Sequence, residues 1–400
     1  MVTATPVRSV LREVRFLRLW AGTTASGLAT WALPFVLGLA VLDRTLSAAG
    51  LGIVLAARTA GFLAAVPVGG VLADRHSRRG VVLWSGLAAT VATPVIALGL
   101  GRSVLLMAVA AAVVGAGQGA CRPAFQALTA EVVDPDRRQQ ANAAMALAVR
   151  ITTLVAPGLT ALLGTVLGAG TLLLGTAALW LAAALVPPSG AGAPAEPRVR
   201  VPFLREFADG VAEARRHPWF VAGLAALTAV IATGYSATGV ALPLISRDRY
   251  DTEFVLAASL TAYTVGGLIG ALVVARWRPR AQGWTALFSL SLYGFAPLAL
   301  LLPVNPLVIV VAYVIAGFGI ELFNVPWFTA TQREVAPDKL ARVSSLDFLM
   351  SYGLAPVGLA VIAPAIATYG AGPVLGACAV ICFLAPAAAA LVPTTRRFAR

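Results

Sequence analysis

Long apolar runs, separated by short charged segments, recur along the whole chain and limit the folds open to it. Twelve runs are present. Each has about twenty residues or more, enough to cross roughly 30 Å of hydrocarbon as a helix. The runs are continuously apolar rather than alternating, and in lipid a helix satisfies its own backbone hydrogen bonds. The sequence therefore predicts an all-α polytopic membrane protein with twelve transmembrane helices. Their approximate bounds are 19–42, 50–72, 81–101, 104–128, 140–165, 168–187, 219–246, 254–275, 283–303, 306–330, 343–367 and 371–393.

Positive charge is distributed unevenly between the two sides of these spans. If the amino terminus is cytoplasmic, 24 of the 30 lysines and arginines fall in or beside cytoplasmic segments. Such an excess marks the cytoplasmic side, so both termini are expected there, in a cell inner (plasma) membrane. The net charge of +13 fits contact with the anionic lipids of the cytoplasmic leaflet. No nucleic-acid partner is expected, because the arginines are dispersed between spans rather than gathered on one domain.

The longest break between apolar runs lies between Pro187 and Pro218. Its first half is rich in Pro, Gly and Ala, which is typical of an irregular linker. Its second half places its apolar side chains on one face of a helix, which indicates an amphipathic helix at the membrane surface. The sequence thus predicts an N-terminal six-helix bundle (1–187), a cytoplasmic linker with this amphipathic helix (188–217) and a C-terminal six-helix bundle (218–400).

The two predicted bundles resemble each other weakly at an offset near 200 residues. Pro123 matches Pro326, and Ala156-Pro157 matches Ala355-Pro356. A duplicated bundle is typical of transporters that rock around a binding site near the middle of the membrane. The alternative is that helices rich in Ala, Gly and Pro resemble one another by composition.

The turn between the second and third runs reads Gly-Val-Leu-Ala-Asp-Arg-His-Ser-Arg-Arg over residues 70–79. A turn with one carboxylate and three arginines marks the cytoplasmic surface. Its pattern resembles the signature between helices two and three of the major facilitator superfamily, although Ser77 stands where that family usually has glycine. The resemblance implies the family fold, secondary transport and a conformational latch in this turn. The candidate latch residues are Gly70, Asp74, Arg75, Arg78 and Arg79.

The latch also has a physical basis. Gly70 lets the second helix approach a neighbour closely, and Asp74 is placed to accept hydrogen bonds from a helix amino terminus. The resemblance places these contacts near the start of the eleventh span, at Arg342 to Ser345. We expect a latch that holds the outward-open state and breaks when the cytoplasmic side opens. The alternative is a solvated, positively charged turn without that role.

Two further segments narrow the resemblance. Residues 122–136 and 324–327 resemble the macrolide-efflux and siderophore-exporter branch of the superfamily. That branch implies export of drugs or secondary metabolites in exchange for protons. The chain departs from it at Gly115, where an arginine is often found, and at Ala156-Pro157-Gly158, where antiporters often have Gly-Pro.

Ionisable side chains within the apolar runs are the sharpest pointers to function, because each costs at least roughly 2.5 kcal/mol at the bilayer centre. Glu321 is a candidate proton-titrating group; the alternative is a structural bond to a neighbouring helix. Arg150 is a candidate partner for Glu321 or for an anionic group of the substrate. Arg58 is expected to snorkel toward the headgroups or to bridge helices. These three residues form the predicted set for proton and charge coupling, while Asp347 is expected nearer the cytoplasmic edge.

A substrate cavity is predicted from the identity of the spans that line it in the family. Aromatic walls with few polar groups suit a bulky amphipathic solute better than a sugar. For each residue alone, ordinary helix packing is an equal alternative. The candidate cavity residues are Trp31, Phe35, Gln118, Gln126, Tyr235, Asn324 and Trp327.

Other chemistries have little support in the sequence. No cluster of His, Cys and carboxylates and no phosphate-binding loop is present, so we expect no enzyme activity, no metal and no cofactor. The sequence predicts a monomeric secondary transporter that exports hydrophobic or amphipathic small molecules in exchange for protons. The alternatives are uptake by proton symport, or a membrane sensor or subunit without transport.

Overall fold

The chain is helical throughout its described part. A computed structural model describes residues 9–190, 202–252 and 254–399, which form sixteen α-helices and no β-strand. Arg8, Arg198, Arg200 and Arg400, all assigned to the cytoplasmic side by sequence, lie outside these residues, as does most of the irregular linker. The helices are α1 (Val14–Leu42), α2 (Ala48–Arg75), α3 (Arg78–Gly99), α4 (Val104–Val132), α5 (Arg138–Gly164), α6 (Ala169–Leu185), α7 (Phe203–Arg215), α8 (Pro218–Ala229), α9 (Ser236–Tyr250), α10 (Phe254–Arg276), α11 (Gln282–Ser291), α12 (Phe295–Leu301), α13 (Pro306–Glu334), α14 (Leu340–Gly353), α15 (Ala355–Tyr369) and α16 (Ala371–Ala390).

Ten helical segments of the described chain are long and apolar enough to cross a membrane, judged by length and composition. Three of them combine several elements: α5 is preceded by a 3-10 turn at Pro135–Arg137, α8 continues through a π-helical stretch at Val230–Tyr235 into α9, and α11 continues through a 3-10 turn into α12. The sixth predicted span is the 17-residue helix α6, and the eleventh is divided at Leu354 between α14 and α15. The all-helical membrane fold is confirmed, whereas the count of twelve spans stays a prediction.

Contacts between helices divide the chain into two compact units. The first unit contains Met1–Ala65 and Arg75–Arg198, and the second contains Val66–Asp74 and Val199–Arg400. The main division therefore falls within the segment predicted as a linker. The C-terminal end of α2, Val66–Asp74, groups with the second unit, and the sequence-based bounds do not include this division.

In the first unit, α3 packs on α4 and α6, and α1 packs on α5 and α6. Its apolar core contains the fully buried side chains of Leu33, Ile96 and Leu173. Helices α2 and α4 approach so closely that a Cβ on Gly115 would lie 1.9 Å from the carbonyl oxygen of Arg58. Small residues permit such backbone contact between membrane helices.

The second unit packs α10 and α11 on α13, and α16 on α8 and α11. A Cβ on Gly317 of α13 would lie 1.9 Å from the carbonyl oxygen of Tyr263 on α10. This contact repeats the one between Gly115 and Arg58 at an offset of about 200 residues. The glycine and the residue whose carbonyl oxygen it approaches both recur at this offset, which agrees with a duplicated bundle.

A second glycine contact repeats in the same way. A Cβ on Gly117 of α4 would lie 2.6 Å from the carbonyl oxygen of Ser85 on α3, and one on Gly319 of α13 would lie 2.2 Å from that of Ser289 on α11. Each unit thus contains one glycine-rich helix, α4 or α13, held against two neighbours. This shared framework positions the polar residues of both units.

Candidate functional site

Asp74 caps the start of α14. Its carboxylate accepts hydrogen bonds from the backbone N–H groups of Ala341 (3.1 Å) and Arg342 (2.9 Å), and from Nε of Arg342 (3.3 Å). The Asp74 side chain has no exposed surface. The residue at the start of α14, Lys339, provides no side-chain cap of its own. Asp74 therefore satisfies the free amides of a helix that is distant in sequence, where a negative charge also meets the positive end of the helix dipole.

Gly70 allows this contact. A Cβ at Gly70 would lie 2.7 Å from Cβ of Ser345 and 2.8 Å from the carbonyl oxygen of Ala341. Any side chain at this position would push α2 away from α14. Gly70 and Asp74, one helical turn apart, thus lie on the same face of α2 and contact the same turn of α14.

The three arginines of the turn have different surroundings. Arg78 is buried, and its Nη1 lies 2.7 Å from Oε1 of Glu131 and donates to the carbonyl oxygen of Ala127 (3.2 Å). Arg79 donates to the carbonyl oxygen of Leu185 at the end of α6 (3.2 Å). Arg75 is half-buried. Arg78 and Arg79 therefore tie the start of α3 to α4 and α6.

An arginine of α14, Arg342, also contacts the Asp74 carboxylate. The sequence-based prediction placed the start of the eleventh span near the turn, but the side chain of Arg342 was not named as a partner of Asp74. Ser77 has a local role that explains its presence in place of glycine. Its hydroxyl accepts a hydrogen bond from the backbone N–H of Gly80 (3.1 Å) and caps α3.

Helix α7 joins the same cluster from the linker. Glu213 is 4% exposed, and its carboxylate lies 2.9 Å from Nζ of Lys339 and 3.4 Å from Nε2 of His217. Burial alone raises the pKa of Glu213, but the hydrogen bond and charge of Lys339, together with the hydrogen bond of His217, outweigh burial and bring the pKa below its ordinary 4.5. Gly210 also packs on Arg342, where a Cβ would lie 3.0 Å from that of the arginine. The amphipathic helix predicted at the membrane surface is therefore anchored on the start of α14.

Arg58 lies within the first unit, where α2 meets α1 and α4. Its Nη2 donates to Oε1 of Gln118 (2.8 Å) and to the carbonyl oxygen of Thr30 (3.1 Å). Gln118 and Thr30 are buried, and Arg58 is half-buried. Of the two sequence-based alternatives for Arg58, the structure shows the bridge between helices.

Two carboxylates lie within the apolar helices of the second unit. Glu321 on α13 and Asp347 on α14 are each 4% exposed. Glu321 packs against α10, where a Cβ on Gly270 would lie 3.1 Å from its own. Asp347 has Oδ1 3.5 Å from Oγ of Ser351, and the Trp327 indole lies next to the carboxylate without a hydrogen bond of normal geometry. Arg150 is half-buried on α5 of the first unit, and its pairing with Glu321 stays a prediction.

Comparison with known proteins decides the family. The sequence profile of the Major Facilitator Superfamily matches residues 19–359, which is most of the chain. The chain belongs to this superfamily. It is therefore a multi-pass membrane protein whose fold supports secondary transport, and the family points to a transporter rather than an enzyme. No curated protein sequence matches the chain.

A solved structure has the same fold. The crystal structure of the human organic anion transporter MFSD10 (TETRAN) superposes with a TM-score of 0.75, covering 96% of this chain and all of that one. The two sequences are 18% identical, so the likeness concerns the fold alone. The narrower resemblance to the macrolide-efflux branch stays a prediction.

The structure accounts for one departure of this facilitator from that branch. Gly115, where an arginine is often found, has no room for any side chain beside the carbonyl oxygen of Arg58. The guanidinium that reaches Gln118 comes instead from Arg58 on the neighbouring helix. Sequence reasoning noted the missing arginine but did not connect it with Arg58, because nothing in the sequence shows that α2 and α4 touch at this level.

The predicted cavity residues of this facilitator have different exposures. Phe35 and Tyr235 are exposed by 46% and 50% respectively, while Trp31, Gln126 and Asn324 are half-buried. Gln118 is buried beneath Arg58. Each of these six residues carries a polar group or an aromatic ring on a membrane helix. Their role in lining a substrate cavity stays a prediction.

Trp327 is fully buried, unlike the other candidate cavity residues, and its cavity role stays a prediction. Its ring stacks on Phe220 and Phe323 at centroid distances of 4.9 and 5.4 Å, and it meets Trp219 and Phe398 edge-on at 5.5 and 5.6 Å. Five aromatic rings from α8, α13 and the C-terminal segment thus form a core in the second unit. A tryptophan at mid-helix is equally suited to such a core, and the sequence does not distinguish the two.

Tyr235 belongs to a group of tyrosines in the second unit, of which the sequence analysis named Tyr235 alone. Tyr293 lies with its ring 6.5 Å from that of Tyr235 and 6.2 Å from that of Tyr263, and its hydroxyl is 3.0 Å from Oγ1 of Thr238. These residues come from three spans separated in sequence. The internal repeat is the one sequence feature that could have indicated this group, because Tyr263 occupies the position in α10 that Arg58 occupies in α2.

Proposed function

We propose that this facilitator is a proton-coupled exporter of amphipathic small molecules. It would work by alternating access, with twelve spans in two six-helix bundles, as a monomer in the plasma membrane with both termini in the cytoplasm. Membership of the superfamily supports transport. Proton coupling, export and the substrate class are the parts of the proposal that the residues below support.

The burial of Glu321 and Asp347 is the observation that carries the proposal. Ionising a carboxylate inside an apolar helix bundle is costly, so binding and release of its proton require a change in its surroundings. Alternating access supplies such a change in each cycle. Asp347 has no cationic partner among the described residues, which supports proposing it beside Glu321 as a proton carrier.

The contact of Asp74 and Gly70 with α14 supports the latch. Two backbone N–H groups and the Arg342 guanidinium converge on one buried carboxylate, so separating α2 from α14 leaves that charge without its partners. We propose that this cluster holds the outward-open state and opens on the cytoplasmic side. Arg78 and Arg79 fix the start of α3, and Arg75 stays a predicted member of the latch.

The substrate class follows from the side chains available on the membrane helices. Trp31, Phe35 and Tyr235 offer aromatic surface, while Gln118, Gln126 and Asn324 offer few polar groups, which suits an amphipathic solute. The similar human transporter is described as carrying organic anions, which agrees with small-molecule transport. A sugar would need many more hydrogen-bond partners.

Transport by purified protein in proteoliposomes with an imposed pH gradient tests the proposal. A panel of fluorescent amphipathic solutes should accumulate only when protons can flow in the opposite direction. We expect Glu321→Gln and Asp347→Asn each to reduce gradient-driven transport by at least about tenfold, equivalent to about 1.4 kcal/mol. Asp43→Asn, which removes an exposed carboxylate at the end of α1, is the matched control and should transport normally.

The outcomes separate the alternatives. Full proton coupling in both carboxylate variants would remove these residues from the mechanism. Solute movement in the same direction as protons would indicate uptake by symport rather than export. Absence of any solute-dependent proton flux in folded wild-type protein would favour a sensor or subunit without transport.

A further inference from the structure

The first unit contains a half-buried cation, Arg58, that has no counter-ion among the described residues. Arg58 forms hydrogen bonds with Gln118 and the Thr30 carbonyl, both uncharged, and no carboxylate pairs with it among the described residues. An arginine inside a membrane bundle normally pairs with an anion, because an uncompensated charge there is unfavourable. The neighbouring Arg122 adds further positive charge to the same place.

The guanidinium retains donors for a ligand. Both of its hydrogen bonds use the single nitrogen Nη2, while Nε is buried and has no partner in the described chain. The Gln118 carboxamide accepts from Arg58 through Oε1 and donates no hydrogen bond of its own to the described residues. Arg58 and Gln118 therefore lie within hydrogen-bond distance of each other and each retain N–H groups, which are the donors that the oxygens of a carboxylate or sulfonate accept from.

Two aromatic residues, Phe62 and Trp31, stand close in sequence to the residues of this site. The guanidinium of Arg122, one turn from Gln118 on α4, lies 5.8 Å from the ring centroid of Phe62, which is one turn from Arg58 on α2. Trp31 directly follows Thr30 on α1 and is half-buried. A ligand held at Arg58 by an anionic group would thus find aromatic surface next to it.

We propose that Arg58 and Gln118 form a binding site for the anionic group of the substrate, so that this facilitator carries aryl carboxylates and similar amphipathic organic anions. The inference rests on the proposed transport function and specifies its substrate class. The ligand supplies the counter-ion that the described residues do not provide. Gln118 is a specificity-determining residue because it orients the guanidinium and adds a donor.

Binding to purified full-length protein in nanodiscs tests the site. The probes are benzoate, 2-naphthoate and 1-pyrenebutyrate, each paired with its uncharged amide of nearly the same shape. We expect wild type to prefer the anions. Arg58→Gln should weaken binding of the anions by roughly 10- to 100-fold, as expected for loss of a charge-assisted hydrogen bond, with the amides changed less than about twofold.

A second variant guards against misfolding of the first. Gln118→Glu places a carboxylate of the same size 2.8 Å from the guanidinium, so it provides an internal counter-ion and should also abolish the preference for anions. The matched control is Arg102→Gln, which removes an exposed arginine from the turn after α3 and should behave as wild type.

Each result decides between the proposals. Equal binding of anion and amide by wild type, no binding of any anion, or an undiminished preference in both variants would overturn the anion site. Transport of the amides in proteoliposomes would then still support the proposed export function. Conversely, Arg58-dependent binding of anions without any transport would leave the anion site in place and remove the transport proposal.

Discussion

The helix pairs α2/α4 and α10/α13 have the same backbone contacts and different chemistry. In both pairs a glycine, Gly115 or Gly317, rests on a carbonyl oxygen of the partner helix with no room for a Cβ. The contacted carbonyl belongs to the backbone of Arg58 in the first unit and of Tyr263 in the second. Arg58 bonds to Gln118, whereas Tyr263 contacts the ring of Tyr293.

The difference teaches that backbone packing and polar chemistry can vary independently. Glycine contacts set the distance between helices. The residue whose backbone carbonyl is contacted can then carry a different side chain in each unit. The first unit carries a cation at this level, and the second carries the carboxylates Glu321 and Asp347. We infer a division of work in which the first unit binds an anionic substrate and the second binds protons.

Filling the glycine contacts should have the largest effect. Gly115→Ala and Gly317→Ala each place a Cβ 1.9 Å from a backbone oxygen, and such overpacking costs about 1–3 kcal/mol or more. We expect both variants to lose several degrees of thermal stability in detergent. Gly52→Ala on α2 meets no atom within 4 Å and is the matched control. Similar melting temperatures for all three variants would contradict the shared framework.

Removing the Asp74 charge should have an intermediate effect and sharpen the comparison between the starts of α14 and α5. Helix α14 depends on Asp74 for its cap, whereas the start of α5 in the first unit has no side-chain cap. We expect Asp74→Ala to destabilise the protein by about 1–3 kcal/mol, because buried donors lose their acceptor. Hydrogen exchange should rise at residues 341–345 and stay unchanged at the start of α5. Unchanged protection of α14 would exclude the cap.

Acidification should have the smallest effect. The pKa of Glu213 is lowered in the folded protein, so its pairing with Lys339 stabilises the structure fully above the ordinary value of 4.5 and is lost as the pH falls below it. The contribution is about 1 kcal/mol, as for a partly exposed charged pair. Protease cleavage of α7 should accelerate below about pH 4.5 in wild type.

Two variants control for this pH effect. In Lys339→Met the acid-dependent acceleration should be reduced, because the principal partner of Glu213 is gone. Asp209→Asn on the exposed face of α7 should retain the wild-type profile. An identical pH profile in Lys339→Met would show that α7 is held by other contacts.

The sequence predicts the architecture well and the partners of polar groups less well. Continuous apolar runs identify membrane helices, and the turn at Gly70 and Asp74 resembles a family signature, so the fold and the region that meets α14 follow from local patterns. Arg342 as the partner of Asp74 depends on which helix faces which in three dimensions. The same holds for Arg58 and Gln118, which are sixty residues apart. The role of Trp327 could not be predicted from sequence either, because an aromatic residue at mid-helix suits a buried core and a cavity wall equally well.

The central claim is the separation of anion binding in the first unit from proton binding in the second. Its most direct test measures 2-naphthoate transport and proton flux together in proteoliposomes of wild type, Arg58→Gln and the double variant Glu321→Gln/Asp347→Asn. The account predicts that Arg58→Gln loses preference for 2-naphthoate over its amide while transport remains proton-driven, and that the double variant keeps the preference and loses the proton dependence. Loss of both properties in each variant, or of neither, would contradict it.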